Sequence, residues 1–483
     1  MSVRASRRRR RGRRLTLGVA TALWCALGLA VPASDGSRVT ADEPQYLLSA
    51  TSLAEDRNLD IADELAEERW RTYHRADLPE QTAARDDGRR LSPHDPLLPL
   101  LLAVPVALGG WVGAKLAMAA LAGALAVALV AVATRLGVPE HRALLVVATF
   151  ALTAPLAVYG TQLYPELAGA LLVTGGVGAV LARPRRAPAA AMLVVAVGAL
   201  PWLSVKYAPV AAALGAVGLW RLLVAGQRRL AVATAAGLVA TAVLFAAGHL
   251  AIYDALTPYA AGDHFTGGEL TVMGTEPDYV GRSRRLLGLL VDRDFGLAAW
   301  SPAWLLALPA AGALARRRSA TDAVLALPLA AGWLVATFFA LTMHGWWWPG
   351  RQVVVVLPLV VLAIARWGPP ARLLVAGLAA GATSYLWLVV EGLADRLTLV
   401  VDPWATTNPL LRLWRLVLPD LADPGPVDQF LWAVWLVLAA VLVVAGWGSA
   451  DADGHRLHQD ALAGEGAEAH DPVLDAHGHR AVR

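Results

Sequence analysis

The sequence predicts an all-α integral membrane protein with about twelve transmembrane helices and a large first extracytoplasmic loop that carries surface helices. Of its 483 residues, 57% are hydrophobic and only 17% are charged, whereas soluble domains are about one-quarter charged. Many apolar runs are about 17 to 25 residues long, the length that crosses a hydrocarbon core of roughly 30 Å. Such runs must be helical, because lipid offers no partner to backbone polar groups.

The first helix is predicted from Leu15 to about Val31. Further crossings are predicted at 112–134, 143–159, 165–182, 188–204, 206–224, 229–251, 301–315, 322–341, 350–366, 371–391 and 429–449. The run from Pro96 to Gly110 is shorter and is interrupted by Pro99 and Pro105, so we interpret it as a half-buried segment at the membrane surface. If it crossed the membrane, the later Arg-rich loops would fall on the outer side.

Basic residues predict the orientation. Arg residues at positions 4–14 precede the first helix, and five later loops on the same side also carry Arg, at 135–142, 183–186, 221–229, 316–318 and 366–372. Because Lys and Arg favour the cytoplasmic side in short loops, both termini are predicted to be cytoplasmic, with the protein in the cell membrane. A nucleic-acid-binding arm is the alternative interpretation of the N-terminal Arg run, and we expect no nucleic acid partner.

This orientation divides the chain into a basic cytoplasmic N-terminus (1–14), a transmembrane domain (15–449) and a disordered cytoplasmic tail (450–483). The main outer segments are the first loop, 34–111, and the loops 252–300 and 392–428. Five His residues lie in the tail among Gly, Ala and acids; this composition is typical of disorder, and metal binding is the alternative. The single cysteine, Cys25, excludes an intrachain disulfide.

Two adjacent acids, Asp42 and Glu43, open the first outer loop a few residues after the first helix. Carboxylates followed by Pro44 anchor poorly in lipid, and we interpret both acids as candidate catalytic residues at the outer rim of the bilayer, with Asp42 as the base. The alternative is a simple helix start, because acids in a first turn stabilise the helix dipole and Pro is tolerated there.

Further candidates follow on the same outer face. His94 stands beside Asp95 near the end of the first loop, where the pair could bind a metal, orient a base or cap a helix. Tyr164 and Glu166 flank Pro165 at a helix start. Glu166 would either add a second acid to an acceptor site or only stabilise the helix dipole.

Two cations stand where lipid disfavours them. Lys206 lies in a short turn between two apolar runs. A cation inside a membrane helix costs about 2.5–3.5 kcal/mol on insertion scales, so Lys206 should either reach outward to water or meet an anion such as a lipid phosphate. Arg351 begins a long apolar run from the outer side, where the distribution of basic residues disfavours Arg, and this position also favours an anionic partner.

The remaining outer candidates surround these cations in sequence. His344 and Trp346 precede Arg351 in a Trp-rich turn, which is interpreted either as an interfacial belt or as a surface that stacks on sugar rings. Arg293, between Asp292 and Asp294, either closes over the site or belongs to a turn that caps the next helix. No Walker loop, HExxH, CxxC or Gly-x-Ser-x-Gly elbow occurs in a usable context, which argues against ATP-driven transport, zincin proteolysis and α/β-hydrolase chemistry.

Taken in order, these motifs resemble the GT-C superfamily of polytopic glycosyltransferases, which includes protein O-mannosyltransferases and lipid A aminoarabinose transferases, and especially its actinobacterial branch. The resemblance covers about residues 15–450. It rests on Asp42-Glu43-Pro44, Ser92-Pro93-His94, Tyr164-Pro165-Glu166, Pro201-Trp202 with Lys206, Asp292-Arg293 with Phe295-Gly296-Leu297, and Pro349-Gly350-Arg351 before Leu357-Pro358.

The resemblance implies a polyprenyl-phosphate-linked sugar as donor and an extracytoplasmic lipid, polysaccharide or protein as acceptor. Asp42 matches the family's catalytic carboxylate, and Glu43 is its neighbour. Gln45 stands where many relatives carry His, and this departure from the family pattern argues against a metal at this position. A divalent metal ion is still kept as a candidate cofactor. Our hypothesis is that Asp42 acts as general base, a role typically worth about 10² to 10⁴-fold. Lys206 and Arg351 would hold the departing phosphate, and attack from the opposite face would invert the anomeric carbon.

A transporter or flippase for a lipid-linked or anionic solute is the rival hypothesis. It would explain Lys206 and the interrupted segment at 96–110, because interrupted helices often line transport sites. It also predicts inverted repeats and polar residues near the membrane midplane. The sequence shows no internal repeat, and its polar residues crowd one rim. A purely structural scaffold would leave the outer cations unexplained.

Overall fold

The computed structural model describes residues 3–78, 81–182, 186–258, 278–340 and 342–468, with side chains described from residue 8 to residue 448 of these ranges. Within them the protein is helical, and β pairing is confined to two isolated bridges, Ser34 with Ser37 and Asp60 with Leu91. The predicted all-α class is confirmed. Parts of the predicted loops at 183–186 and 252–300 lie outside the described residues, as do the side chains of the tail histidines His455, His458, His470, His477 and His479.

The described helices alternate between long apolar segments and short connecting turns. The α-helices are α1 (Val3–Ala26), α2 (Glu43–Glu55), α3 (Ala62–Ala66), α4 (Leu97–Arg135), α5 (Glu140–Ala151), α6 (Leu156–Tyr159), α7 (Pro165–Val180), α8 (Ala187–Leu203), α9 (Ala208–Val224), α10 (Arg228–Tyr253), α11 (Tyr279–Arg282), α12 (Arg285–Val291), α13 (Leu297–Trp300), α14 (Ala307–Arg317), α15 (Ala320–Leu334), α16 (Leu357–Trp367), α17 (Ala371–Leu393), α18 (Pro409–Arg415) and α19 (Pro426–Glu468). Short 3₁₀ turns include Arg69–Thr72, Val205–Tyr207, Pro302–Leu306, Arg351–Val356 and Pro403–Ala405, and a π turn, Val335–Phe339, extends α15.

Six described helical segments are long and apolar enough to cross a membrane, namely Leu97–Arg135, Val205–Val224, Arg228–Tyr253, Ala320–Phe339, Ala371–Leu393 and Pro426–Gly448. Two shorter apolar helices, α7 and α8, pack among them. Most side chains of α10 and of the apolar part of α19 are not buried inside the protein, which suits a lipid environment. The structure is therefore consistent with an all-α membrane protein.

The finer prediction of about twelve crossings is not confirmed. Several predicted runs are helices of only 11 or 12 residues, as in α5, α14 and α16. The last two follow 3₁₀ turns, which break the regular α-helix although the sequence stays apolar. Helix α1 also differs from its predicted bounds, because it includes the N-terminal Arg run and ends at Ala26 rather than near Val31.

Helix α4 contains an interruption, and it lies at two glycines rather than at Pro99 or Pro105. Gly109 and Gly110 have non-helical backbone angles, with φ of −155° and +56°. A Cβ atom on Gly113 would lie 2.0 Å from the carbonyl oxygen of Pro105, whereas eight residues of straight helix span about 12 Å. The chain therefore bends sharply, and Leu97–Leu108 is a separate helical arm rather than the first part of a straight span.

Several of the Arg-bearing loops contact one another, as when Arg142 donates to the carbonyl of Pro369. Arg14 pairs with Glu140 at 3.0 Å, which joins the N-terminal Arg run to the start of α5. Arg366 pairs with Asp322 at 2.6 Å, and Arg317 donates to the carbonyl of Arg366. These contacts agree with the expectation that the basic loops lie on one side.

Helix packing brings several helix starts together at another location. Helix α2 packs on α4, α4 packs on α7, and α7 contacts both α8 and the 3₁₀ turn at Arg351–Val356. The turn at Val205–Tyr207 follows α8 directly and leads into α9. The beginnings of α2, α7, α9 and the Arg351 turn consequently gather around one point.

Candidate active site

Four charged side chains meet at this point. The guanidinium of Arg351 places Nη2 2.6 Å from Oδ2 of Asp42 and Nε 3.1 Å from Oε1 of Glu166. Lys206 Nζ lies 2.8 Å from the same Glu166 oxygen. We refer to Asp42, Glu166, Lys206 and Arg351 as the charged cluster. Its two carboxylates and two cations cancel in formal charge.

Each member of the charged cluster stands at or near the N-terminal end of a helix. Asp42 is the N-cap of α2, Glu166 lies in the first turn of α7, and Arg351 is the first residue of its 3₁₀ turn. Lys206 lies in the turn that precedes α9. Helix N-termini carry unpaired N–H groups and a partial positive charge, so this arrangement favours an anionic ligand.

Left-handed backbone conformations precede both Asp42 and Arg351. Ala41 has a φ of +52° and Gly350 a φ of +88°. This conformation costs a residue with a Cβ atom about 1 kcal/mol, so Ala41 holds a mildly strained turn in front of Asp42. At Gly350 a Cβ would also lie 2.7 Å from Cδ2 of the buried Leu297, and glycine therefore suits the turn that presents Arg351.

The charged cluster is buried on one side and open on the other. The side chains of Glu166 and Arg351 are 1% and 8% exposed, whereas those of Asp42 and Lys206 are 23% and 32% exposed. Burial acts to raise the pKa of Asp42, but the charge of Arg351, together with His94 and Lys206, holds that pKa below its ordinary value. Asp42 is therefore an ionised carboxylate that remains accessible from outside.

Aromatic rings line the buried side. The Arg351 Cζ atom lies 4.0 Å from the ring centroid of Tyr164 and 5.3 Å from that of Trp347, both within cation–π range. Lys206 Nζ lies 5.4 Å from the ring of Tyr207. Tyr164 was a predicted site residue, and its ring contacts the cluster. Trp347, rather than the predicted Trp346, is the tryptophan that faces Arg351.

Several buried polar atoms in these segments have no hydrogen-bond partner in the described part of the chain. They are Tyr164 Oη, Trp347 Nε1, Gln45 Oε1 and both amide atoms of Gln162. Leaving such an atom unpaired costs about 1–3 kcal/mol. The geometry therefore favours water or a polar ligand beside the charged cluster.

Glu43 has different surroundings from Asp42. Its Oε1 accepts a hydrogen bond from the Leu163 N–H at 2.7 Å, and its Oε2 accepts one from the Thr40 N–H at 3.0 Å. Burial raises the pKa of Glu43, and Lys115 opposes that rise. Because backbone amides hold both oxygens, Glu43 links the start of α2 to the turn before α7, and a catalytic role for it stays a prediction.

A second buried pair adjoins the site. His94 stacks on Tyr46 with ring centroids 4.5 Å apart, and its imidazole contributes to lowering the pKa of Asp42. Its neighbour Asp95 places Oδ1 2.9 Å from His249 Nε2, while Oδ2 accepts from the Val205 N–H at 3.0 Å. Asp95 thereby fixes the turn that carries Lys206.

His249 and Lys115 were missed by the sequence predictions. Lys115 is buried in α4 and donates to the carbonyl of Arg38 at 2.6 Å. The sequence did contain a signal for both residues, because each is an ionisable side chain inside an apolar helix. Such a residue is a candidate functional group by default.

Three predicted site residues have their main contacts elsewhere. Arg293 pairs with Asp428 at 2.6 Å, and His344 lies with Nε2 3.6 Å from Asp292 Oδ2. Trp346 is 66% exposed. Asp292 accepts hydrogen bonds from the N–H groups of Asp294 and Phe295, so it organises the turn between α12 and α13. The described contacts do not join these three predicted residues to the charged cluster.

An apolar groove lies next to the turn that carries Lys206. It encloses about 480 Å³ between the end of α2, the start of α4, and helices α8 and α10. Trp202 lines it and packs on His249 with ring centroids 4.7 Å apart. The lining residues are Leu53, Leu59, Pro96, Leu97, Leu100, Val195, Gly198, Ala199, Trp202, Thr241, Leu244 and Ile252.

The charged cluster is a poor metal site, because Arg351 and Lys206 already occupy its carboxylates. Among the described residues, one group of three acidic side chains has metal-binding spacing, formed by Asp56, Asp63 and Glu64 beyond the other end of α2. No protein-family model, curated protein or solved structure significantly matches the chain.

Proposed function

We propose that this protein is a polytopic membrane glycosyltransferase. It would move a sugar from a polyprenyl-phosphate-linked donor to an extracytoplasmic lipid, polysaccharide or protein acceptor. The observation that carries the proposal is the meeting of an accessible carboxylate, Asp42, with two cations, Lys206 and Arg351, in one cluster. A general base and a phosphate-binding pair are the groups that such a transfer needs.

The donor phosphate would bind at Arg351 and Lys206. A guanidinium can hold a phosphate through two parallel hydrogen bonds, and an ammonium adds a compact charge. Glu166 contacts both cations through one oxygen and would keep them in place while the phosphate binds. Helix N-termini at the same point add further favourable charge.

Donor binding would also activate the base. In the structure Asp42 shares a charge-assisted hydrogen bond with Arg351 at 2.6 Å. A phosphate that pairs with the Arg351 guanidinium in place of Asp42 would deprive Asp42 of its positive neighbour. The pKa of a carboxyl rises when it loses a positive neighbour. Asp42 then accepts the proton of the acceptor hydroxyl more readily, so binding and chemistry are coupled.

The transfer requires no reactant other than the donor and the acceptor. The acceptor hydroxyl oxygen forms a bond to the anomeric carbon as Asp42 takes its proton. The bond from that carbon to the phosphate oxygen breaks, and its electron pair stays on the phosphate beside Lys206 and Arg351. Attack opposite the leaving group inverts the anomeric configuration.

The apolar groove supports a lipid-linked donor. Its lining is almost entirely apolar and includes Trp202, Pro96 and Leu97. Asp95, which precedes Pro96, accepts a hydrogen bond from the Val205 N–H, next to Lys206. A phosphate at Lys206 could therefore continue into a prenyl chain in the groove. In the proposed cell-membrane orientation, the charged cluster faces outward and the Arg-bearing loops face the cytoplasm.

The test uses the full chain in membranes supplied with polyprenyl-phosphate sugars. Asp42→Asn keeps the shape of the side chain and should lower transfer by about 10² to 10⁴-fold. Asp86→Asn removes an exposed carboxylate from the same outer loop and should leave transfer unchanged. Transfer by the Asp42→Asn protein at the wild-type rate would refute the assignment of Asp42 as the base.

Transport of a lipid-linked or anionic solute is the second candidate, favoured by the break in α4 at Gly109 and Gly110. Interrupted helices line the substrate sites of many transporters. Purified protein in vesicles separates the two hypotheses. Movement of a fluorescent lipid-linked sugar across the bilayer, without formation of a glycosylated product, would favour transport.

A further inference from the structure

Three carboxylates converge where α2 ends and α3 begins. Asp56 is the C-cap residue of α2, and Asp63 and Glu64 lie in the first turn of α3. One carboxylate oxygen from each residue lies within 4.8 Å of those from the other two. Oxygens that share a Ca²⁺ ion at about 2.3–2.6 Å stand at most roughly 5 Å apart, so this spacing fits one ion.

The side chain of Glu64 is buried and incompletely hydrogen-bonded. The residue is only 2% exposed, and its Oε2 atom is buried without a hydrogen-bond donor in the described part of the chain. A buried carboxylate normally has a positive partner or several donors. The buried Oε2 atom of Glu64 therefore lacks the partner that a bound cation would supply.

Neighbouring basic side chains do not neutralise these acids. Arg69 pairs with Glu55 and Glu67, both at 2.8 Å, and Arg71 pairs with Glu68 and Asp77. None of the described ion pairs involves Asp56, Asp63 or Glu64. When all three are ionised, they place three negative charges around one point.

The backbone between the ligands is held in place. Ser52 Oγ donates to the carbonyl of Asp60 at 2.7 Å, and the Asp60 side chain accepts from the Arg90 N–H at 2.8 Å. The Ile61 N–H donates to the carbonyl of Arg90 at 2.9 Å. A cation would thus bind to a loop that is already ordered. Binding would then not lose the conformational entropy of ordering that loop.

We propose that Asp56, Asp63 and Glu64 form a Ca²⁺ site that clamps the end of α2 to the start of α3. Carboxylate and water oxygens are the ligands that Ca²⁺ prefers, and it tolerates irregular geometry better than Mg²⁺ does. Two of the three acids are exposed, which leaves room for water to complete the coordination shell.

The site is separate from the charged cluster. Helix α2 has 13 residues, so its two ends are about 20 Å apart. Asp42 caps one end and Asp56 the other. The ion would therefore act by holding the helix that presents Asp42, and the proposal does not depend on the reaction performed there.

The experiment measures Ca²⁺ binding to the purified full chain by equilibrium dialysis with radioactive CaCl₂, at constant ionic strength. One site per chain is expected, with a dissociation constant of about 10⁻⁴ to 10⁻³ M, as in extracellular modules. Glu64→Gln should weaken binding at least about tenfold, because it removes a charged ligand. Asp86→Asn, in an exposed part of the same loop, should bind as the wild type does.

Thermal unfolding provides the second measurement. CaCl₂ should raise the midpoint for the wild type and for Asp86→Asn, but not for Glu64→Gln, and MgCl₂ should act more weakly. In EDTA, Glu64→Gln should be at least as stable as the wild type, because the substitution relieves repulsion. Equal Ca²⁺ binding by wild type and Glu64→Gln would overturn the proposal. A wild type that binds no Ca²⁺ would overturn it as well.

Discussion

Arg351 Nη2 lies 2.6 Å from Asp42 Oδ2, although 309 positions separate the two residues along the chain. Arg351 also holds Glu166, so it neutralises two carboxylates at once. Lys206 contacts Glu166 from the other side. The stability of this region and the proposed chemistry consequently depend on the same guanidinium.

The first prediction concerns removal of that guanidinium. Arg351→Gln leaves an uncompensated negative charge in a buried cluster and should destabilise the protein by about 3–5 kcal/mol. Adding Glu166→Gln restores neutrality, so the double variant should lose less than the sum of the two single variants. Chemical unfolding in detergent micelles measures both effects. Arg89→Ala, which breaks an exposed pair with Asp87, is the control and should leave the unfolding transition almost unchanged.

The second prediction concerns the glycine before Arg351. Gly350→Ala should destabilise the protein by more than Gly88→Ala. Both glycines have a left-handed φ, +88° and +85°, but a Cβ at Gly88 meets open space whereas one at Gly350 meets Leu297. Strain alone should cost about 1 kcal/mol at Gly88. Donor binding should weaken only in Gly350→Ala, because that substitution shifts Arg351. Equal unfolding midpoints for the two variants would contradict this account.

The third prediction concerns the apolar groove. Ala199→Phe should fill part of it and raise the KM for a long-chain polyprenyl donor at least about tenfold, with little change in kcat, because uniform binding is lost. A donor with a short prenyl chain should be much less affected. Val239→Phe, at a position on α10 that is 63% exposed, is the matched control. Equal sensitivity of the two donors to Ala199→Phe would show that the chain lies elsewhere.

The fourth prediction concerns pH. The pKa of Asp42 in the folded protein is lowered by Arg351 despite burial, so its ionised form contributes stability at pH values above the ordinary carboxyl pKa. This contribution should be lost as pH falls below about 4. The difference in unfolding midpoint between wild type and Asp42→Asn should therefore be constant from about pH 8 to pH 6 and shrink near pH 4. A difference that already disappears between pH 7 and pH 5 would indicate a raised pKa instead.

Sequence reasoning selected all four members of the charged cluster: the two cations because lipid or loop statistics disfavoured them, and the two acids because they opened helices on the predicted outer face. Lys206 and Arg351 were cations at the outer ends of apolar runs, and Asp42 and Glu166 were acids at helix starts. Arg293 and His344 belonged to the same predicted face, yet their contacts lie elsewhere. Membrane topology places a residue at a depth, and it carries no information about lateral position around the bundle.

The sequence by itself determined the class of this protein, since long apolar runs must be helices in lipid, and it predicted that the basic loops share one side. Only the tertiary structure decided which outer residues meet. It also decided that Trp347 and not Trp346 faces Arg351, that Glu43 binds backbone amides, and that His249 holds Asp95. Composition and periodicity describe residues in their order along the chain. An ion pair between residues 309 positions apart depends instead on how separate helices pack.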